Sequence, residues 1–147
     1  MTMITTPMRD DHRACDHLLA EAEAALDRGD AAAASTLFAD FQQRFEGHLR
    51  MEEEVLFPEF ESQTGMTAGP TQVMRMEHEE LREQARAATG ALASGDNETF
   101  LDACDTLLTL LQQHNAKEEQ VLYPMCDRTL SNPEATWARM QQVDTEC

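Results

Sequence analysis

Apolar residues recur along this chain in steps of three and four. One line runs through Met8, His12, Cys15, Leu19, Ala22 and Leu26, and a second through Leu37, Phe41, Phe45, His48, Glu52 and Val55 or Leu56. A third follows Met74, His78, Leu81, Ala85, Ala88 and Leu92, and a fourth Cys104, Leu107, Leu111, His114, Glu118 and Val121 or Leu122. This is the period of a helix with one buried face, and no alternating strand pattern competes with it. It predicts helices over about residues 8–28, 31–62, 71–94 and 98–128. Gly29-Asp30 and Gly95-Asp96 punctuate the pairs, with glycine to end one helix and aspartate to cap the next. Turns that short force antiparallel neighbours. The expected fold is all-α, an up-down-up-down four-helix bundle over about residues 8–128, in a single domain spanning 1–147. Ser131-Asn132-Pro133-Glu134 opens a short extra C-terminal helix, about 132–144, whose Trp137, Met140 and Val143 are expected to pack over a bundle end. Pro58 and Pro124 should each kink or loosen a helix, because proline lacks a backbone donor and clashes with the preceding turn. The first six residues are expected to be flexible.

The pattern is also duplicated. His48 to Pro58 and His114 to Pro124 both read H-x3-E-E-x-V-L-(F/Y)-P. Asp11-His12 precedes Glu77-His78 by the same interval that separates those two copies, and so does Gly29-Asp30 precede Gly95-Asp96. A shared register over so much chain indicates a duplicated two-helix unit.

Histidine and glutamate stand on these stripes where leucine is expected. An ionised carboxylate in a core costs several kcal/mol or more unless it is paired or metal-bound. Residues four apart lie above one another on a helix, so His48 with Glu52, and His114 with Glu118, can reach one centre together. His12 and His78 lie on the stripes of their own helices. The candidate metal ligands are therefore His12, His48, Glu52, His78, His114 and Glu118. Glu53 and Glu119 are rotated by roughly 100° and should face the flank or solvent. His17 falls about 140° from His12 and reads as a surface residue. Tyr123, nine residues beyond His114, falls half a turn off the ligand face and is not expected to serve as a site acid. Cys15, one turn from His12, reads as a small buried hydrophobe or as a thiol exchanging electrons with the site.

This donor set, without cysteine, suits iron or manganese better than a structural zinc knot. Each of two ions could take two histidines, share Glu52 and Glu118 and a solvent oxygen, and keep one position open for a small molecule.

Charge narrows the partners. There are 11 Lys and Arg against 28 Asp and Glu, a net charge of −17, which repels phosphate backbones and anionic lipid. Nucleic-acid and membrane roles are disfavoured, and no apolar run reaches the length of a membrane span. The N-terminus lacks a secretory pattern, so the expected location is cytoplasmic, with Cys15, Cys104, Cys126 and Cys147 reduced.

The words M-x-x-E-H, H-L-x-M-E-E-E-V-L-F-P and H-N-x-K-E-E-x-V-L-Y-P resemble those of the hemerythrin-like HHE cation-binding domains over about residues 9–127. The resemblance implies two iron ions with an oxo or hydroxo bridge, for which manganese or zinc could substitute. It implies binding or sensing of oxygen, nitric oxide or a similar diatomic. Redox activity under stress (reduction of nitric oxide or peroxide, or iron donation for repair of iron centres) is an alternative, and iron storage a further one. Any electron-transfer or signalling output would need a separate protein partner. Oxygen carriers of this kind have a fifth histidine, four residues from the lone one on the third helix. Here Met74 and Arg82 hold those positions, and water or a shifted Glu77 is expected to fill the vacancy.

Overall fold

A computed structural model describes residues 2–144, and every regular element among them is helical. Helix α1 (Thr5–Asp27) turns at Gly29, which takes φ 86°, a value that favours glycine. Asp30 then caps α2 (Ala31–Met51) by accepting from the Ala33 N–H. A π turn (Glu52–Leu56) leads without a break into α3 (Phe57–Thr64). The second half repeats the plan. Helix α4 (Pro70–Ser94) ends at Gly95, φ 74°; Asp96 caps α5 (Asn97–Lys117); a π turn (Glu118–Leu122) leads into α6 (Tyr123–Thr129). Helix α7 (Pro133–Asp144) follows.

Helix α1 packs along α2 and α4 along α5, and contacts of α1 with α5 and of α2 with α4 join the pairs into an all-helical bundle. Helix α7 lies against α2 and the first π turn, with Met140 fully buried and Trp137 and Val143 partly so. No helix among the described residues is long and apolar enough to cross a membrane.

The loosening expected at the prolines takes a specific form. Each proline follows a π turn that begins at the stripe glutamate. Phe57 N–H donates to the Glu52 carbonyl and Tyr123 N–H to the Glu118 carbonyl, five residues back. The wider turn accommodates a residue that cannot continue the ordinary ladder.

The N-terminal expectation is corrected at Ile4 to Thr6. Ile4 is fully buried, and helix α1 begins at Thr5. The Ile4 and Thr5 N–H groups and the Thr5 hydroxyl all donate to the Asp127 carboxylate, at 2.9, 3.1 and 2.6 Å. The duplication extends to this cap: at the matching position of the other half, the Thr71 hydroxyl donates to Glu61 at 2.6 Å. Each half thus ties down the first turn of the other.

Two apolar clusters flank a polar layer. One contains Leu19, Phe41, Phe45, Leu81, Phe100, Leu107 and Leu111. The other contains Ile4, Met8, Leu56, Phe57, Met74, Leu122 and Tyr123. The stripe histidines and glutamates occupy the gap: His12 between Met8 and Cys15, His78 between Met74 and Leu81, and His114 with Glu118 between Leu111 and Leu122. Phe38 rather than Leu37 is the buried residue of its turn, and Leu122 rather than Val121, which is 53 % exposed.

Candidate metal centre

All six stripe residues are buried together between the clusters; Glu52, His78 and Glu118 have no exposed surface. The two halves cross over. His12 Nε2 stands 3.0 Å from Oε1 of Glu118, in the other half, and His78 Nε2 stands 3.0 Å from Oε1 of Glu52. Within a helix, His114 Nε2 lies 3.3 Å from Glu118 Oε1 and His48 Nε2 lies 3.8 Å from Glu52 Oε2.

Each imidazole is held from behind by a carboxylate on its Nδ1. His12 meets Glu119 at 2.7 Å, His78 meets Glu53 at 2.7 Å, His48 meets Asp11 at 2.7 Å and His114 meets Glu77 at 2.9 Å. Donation from Nδ1–H to these outer acids leaves the Nε2 lone pairs directed inward, the arrangement that presents a neutral imidazole to a metal. Glu53 and Glu119 do lie on the flank, at 23 % and 26 % side-chain exposure, but they orient the histidines. Glu77 is not drawn inward to a vacant ligand position: it holds His114 and pairs with Lys117. Arg82, at one of the two positions open to a fifth histidine, bonds Glu46, Glu53 and Glu79. Met74 is core packing.

Tyr123 corrects the sequence reading most sharply. Its ring is fully buried, and its hydroxyl lies 2.6 Å from Glu52 Oε2, 2.9 Å from Glu118 Oε1, 3.2 Å from His12 Nε2 and 3.3 Å from His48 Nε2. A half-turn offset from His114 requires 100° per residue throughout. The π turn advances less per residue, so Tyr123 comes up beside Glu118 instead of opposite it.

The residues present fit a cation. Inward Nε2 lone pairs face carboxylate oxygens, and acceptor against acceptor is unfavourable without positive charge between them. Four buried atoms in the layer lack a hydrogen-bond partner: Glu52 Oε1, His78 Nε2, His114 Nε2 and Glu118 Oε2. Ligand atoms of these same four residues lie within 4.8 Å of one another, and those of His12, His48 and Glu118 form a second such group.

Protons alone must strain to satisfy this layer. Burial opposes charge on His12, yet its bonds to Glu118 and Glu119 raise its pKa to about 10. Burial likewise opposes charge on His78, while Glu52 and Glu53 raise it to about 9. Burial and the neighbouring Glu118 push Glu52 up; burial would do the same to Glu118, but His114 and His12 hold it well below the carboxylate range. Burial and the two carboxylates push Tyr123 well above its ordinary value, so its hydroxyl keeps its proton. Burial would raise Glu53 too, but His78 and Arg82 lower it to about 2.

His17 stays outside, 73 % exposed and paired with Glu21. Cys15 is buried and helps line a cavity of about 10 Å³ bounded also by His12, His48, His114, Phe45 and Leu111. Cys104 and Cys126 are buried outside any disulfide, and burial pushes the Cys104 thiol up to about 12. Cys147 lies outside the described residues.

The outer acids were visible in the sequence, since Asp11 matches Glu77 and Glu53 matches Glu119 in the register of the duplication. The model of a protein family described as hemerythrin HHE cation binding domain matches residues 3–126. No curated protein and no solved structure matches the chain.

Proposed function

From the chain's membership of the hemerythrin HHE cation-binding family, we propose that it holds two iron ions between Glu52 and Glu118 at the centre of an up-down-up-down four-helix bundle. There it binds or senses a small diatomic ligand such as oxygen or nitric oxide. His12 and His48 would hold one ion, His78 and His114 the other, with both carboxylates between them. The single observation that carries this reading is the set of unpartnered, fully enclosed nitrogen and oxygen atoms converging from both halves of the duplication. When bound, iron supplies a redox-active centre with room for an exogenous ligand.

The polypeptide around the site favours a small ligand. The cavity against three of the imidazoles, about 10 Å³, is close to what one water-sized molecule occupies. Phe45, Leu49 and Leu111 make its wall largely apolar, which excludes larger polar solutes. The outer carboxylates keep each imidazole in the tautomer that faces the interior.

A second reading, turnover of nitric oxide or peroxide, is favoured by Tyr123. A buried hydroxyl that holds its proton against two carboxylates is a donor in reach of the site. A cytoplasmic setting and a separate redox or signalling partner accompany either reading, and the net charge of −17 favours a partner with a basic face.

Metal analysis followed by anaerobic reduction and titration with oxygen and nitric oxide, watched by absorption spectroscopy, separates the readings. Two iron equivalents and reversible spectral changes support binding or sensing. Catalytic consumption of nitric oxide or peroxide supports turnover. A chain that retains no iron after reconstitution refutes both.

A further inference from the structure

We infer, resting on the two-cation reading above, that the two positions are unequal and fill in order. A first ion enters the cage of Glu52, His78, His114 and Glu118. A second takes the His12–His48 side only by displacing the Tyr123 hydroxyl.

Tyr123 is the counterpart of Phe57 in the second copy, and both rings do the same packing. Phe57 stacks on His78 with centroids 5.5 Å apart and planes at 25°. Tyr123 stacks on His12 at 5.6 Å and 27°. The two halves therefore set equivalent rings against equivalent histidines, and the two rings differ by one oxygen atom. That oxygen enters only one side of the layer.

Its effect is visible in which atoms are satisfied. On the Tyr123 side the hydroxyl stands within 3.3 Å of both His12 Nε2 and His48 Nε2 and bonds Glu52 Oε2 and Glu118 Oε1. On the Phe57 side nothing takes that role, and His78 Nε2, His114 Nε2, Glu52 Oε1 and Glu118 Oε2 are left without partners. These nitrogens meet only the two carboxylates, His78 Nε2 with Glu52 Oε1 at 3.0 Å and His114 Nε2 with Glu118 Oε1 at 3.3 Å, so a cation that replaces their protons displaces no third side chain and gains most there. On the other side a cation must displace the hydroxyl, whose one proton bonds Glu52 Oε2 at 2.6 Å, and the tyrosine must yield part of a buried network.

The unaltered, metal-free chain, selectively labelled with ¹⁵N in its histidines, would be titrated with zinc(II) as a diamagnetic probe. The first equivalent should move the ring signals of His78 and His114 and leave those of His12 and His48 in place. The second should move His12 and His48, with affinity weaker by roughly tenfold or more by calorimetry. Tyr123→Phe keeps the ring and removes the oxygen, and the gap between the two steps should narrow. Movement of all four histidines together, or of His12 and His48 first, overturns the order; because this needs only the unaltered chain, it decides the matter even if Tyr123→Phe folds poorly. A wider gap in Tyr123→Phe overturns the displacement, since the hydroxyl would then be helping to hold the second ion. No binding at all removes the two-cation reading and this inference with it. Two ions bound in the wrong order remove only the inference.

Discussion

Four corners hold the four buried histidines, and three of them are finished differently from the fourth. At His48 the outer Asp11 is paired with Arg44 at 2.8 Å; at His78, Glu53 is paired with Arg82 at 2.9 Å; at His114, Glu77 is paired with Lys117. Each is a chain of imidazole, carboxylate and cation. At His12 the outer Glu119 meets no lysine or arginine among the described residues. Its neighbour is instead Asp16, a second carboxyl with a buried oxygen lacking a partner. A carboxylate fixed by a cation holds its imidazole in one orientation; a carboxylate beside another carboxyl is repelled and held less firmly. The duplication supplied equivalent acids, and the residues around them leave one corner without a cation, which should make it the softest.

The largest expected effect tests the layer that all corners serve. Glu118 belongs to both groups of converging donors, Glu52 to one. Glu118→Ala should therefore abolish binding of both ions, and Glu52→Ala should remove mainly the ion between His78 and His114. Elemental analysis after reconstitution and desalting reads this directly. It should also appear as loss of metal-linked stabilisation, about 4 kcal/mol when free metal exceeds its dissociation constant by about 1,000-fold. Full iron retention in both variants would dissolve the comparison, because the corners would have nothing to orient.

The corners themselves come next. Removal of an acid that orients a metal-ligating histidine typically lowers metal affinity by about 10–100-fold. Glu53→Ala should fall within that range, because Arg82 makes Glu53 a rigid support at a fully buried histidine. Glu119→Ala should lose less. Competition against a chelator of known affinity ranks the two, and an equal or larger loss at Glu119 would show that the missing cation does not soften the corner.

The sequence carried much of this, and the omissions have identifiable causes. Every residue of the first stripe, from Met8 to Leu26, is buried, because an uninterrupted α-helix keeps a constant angle per residue. The six inward donors sit on such stripes and converge. The outer acids could have been found by asking which other carboxyls recur in the register of the repeat, since a histidine in a core needs something on its second nitrogen. Tyr123 was hidden for a different reason. Helical arithmetic fails across a π turn, and the hints were Pro58 and Pro124, whose missing donors mark where the ladder changes. The cations at three corners each stand three or four residues from the histidine on its own helix (Arg44 from His48, Arg82 from His78, Lys117 from His114), a spacing that solvated surface charges also show. The docking of Ile4 depends on Asp127, at the far end of the bundle's sequence.

A pH series sharpens the comparison at smaller amplitude. In the metal-free chain His12 is raised to about 10 and His78 to about 9, from an ordinary 6.5. Values raised by folding mean that the protonated rings stabilise the fold. That contribution is whole below pH 6.5, declines above it and is gone beyond the folded values. The melting temperature of the metal-free protein should fall from pH 7 to pH 10. Metal takes the place of those protons, so affinity should rise over the same interval and the loaded protein should melt nearly independently of pH there. Glu53, lowered to about 2, works in the opposite sense, contributing stability above pH 4.5 that is lost as pH falls toward 2. A metal-free melting curve that is flat from pH 7 to 10 would mean that the imidazoles are not gripped by their carboxylates.

The smallest effect belongs to the soft corner. Burial raises the Asp16 pKa, His12 partly offsets this, and Glu119 adds to it. A carboxyl whose folded value lies above its ordinary 3.8 costs stability once it is ionised, at every pH above that value, and costs none where it is protonated in both states. Asp16→Asn removes that cost without changing the size of the side chain. Because Asp16 is only partly buried and solvent screens it, the gain should be slight, a rise of no more than about 2 °C in the melting temperature at pH 7. The rise should vanish below about pH 4. It should also bring the effect of Glu119→Ala closer to that of Glu53→Ala, since Glu119 is then freed from its like-charged neighbour and can hold His12 as firmly as the capped acids hold theirs. A drop in melting temperature at pH 7 would show instead that Asp16 acts as a counter-charge for His12, and the fourth corner would have to be redrawn as an acid pair sharing one imidazole.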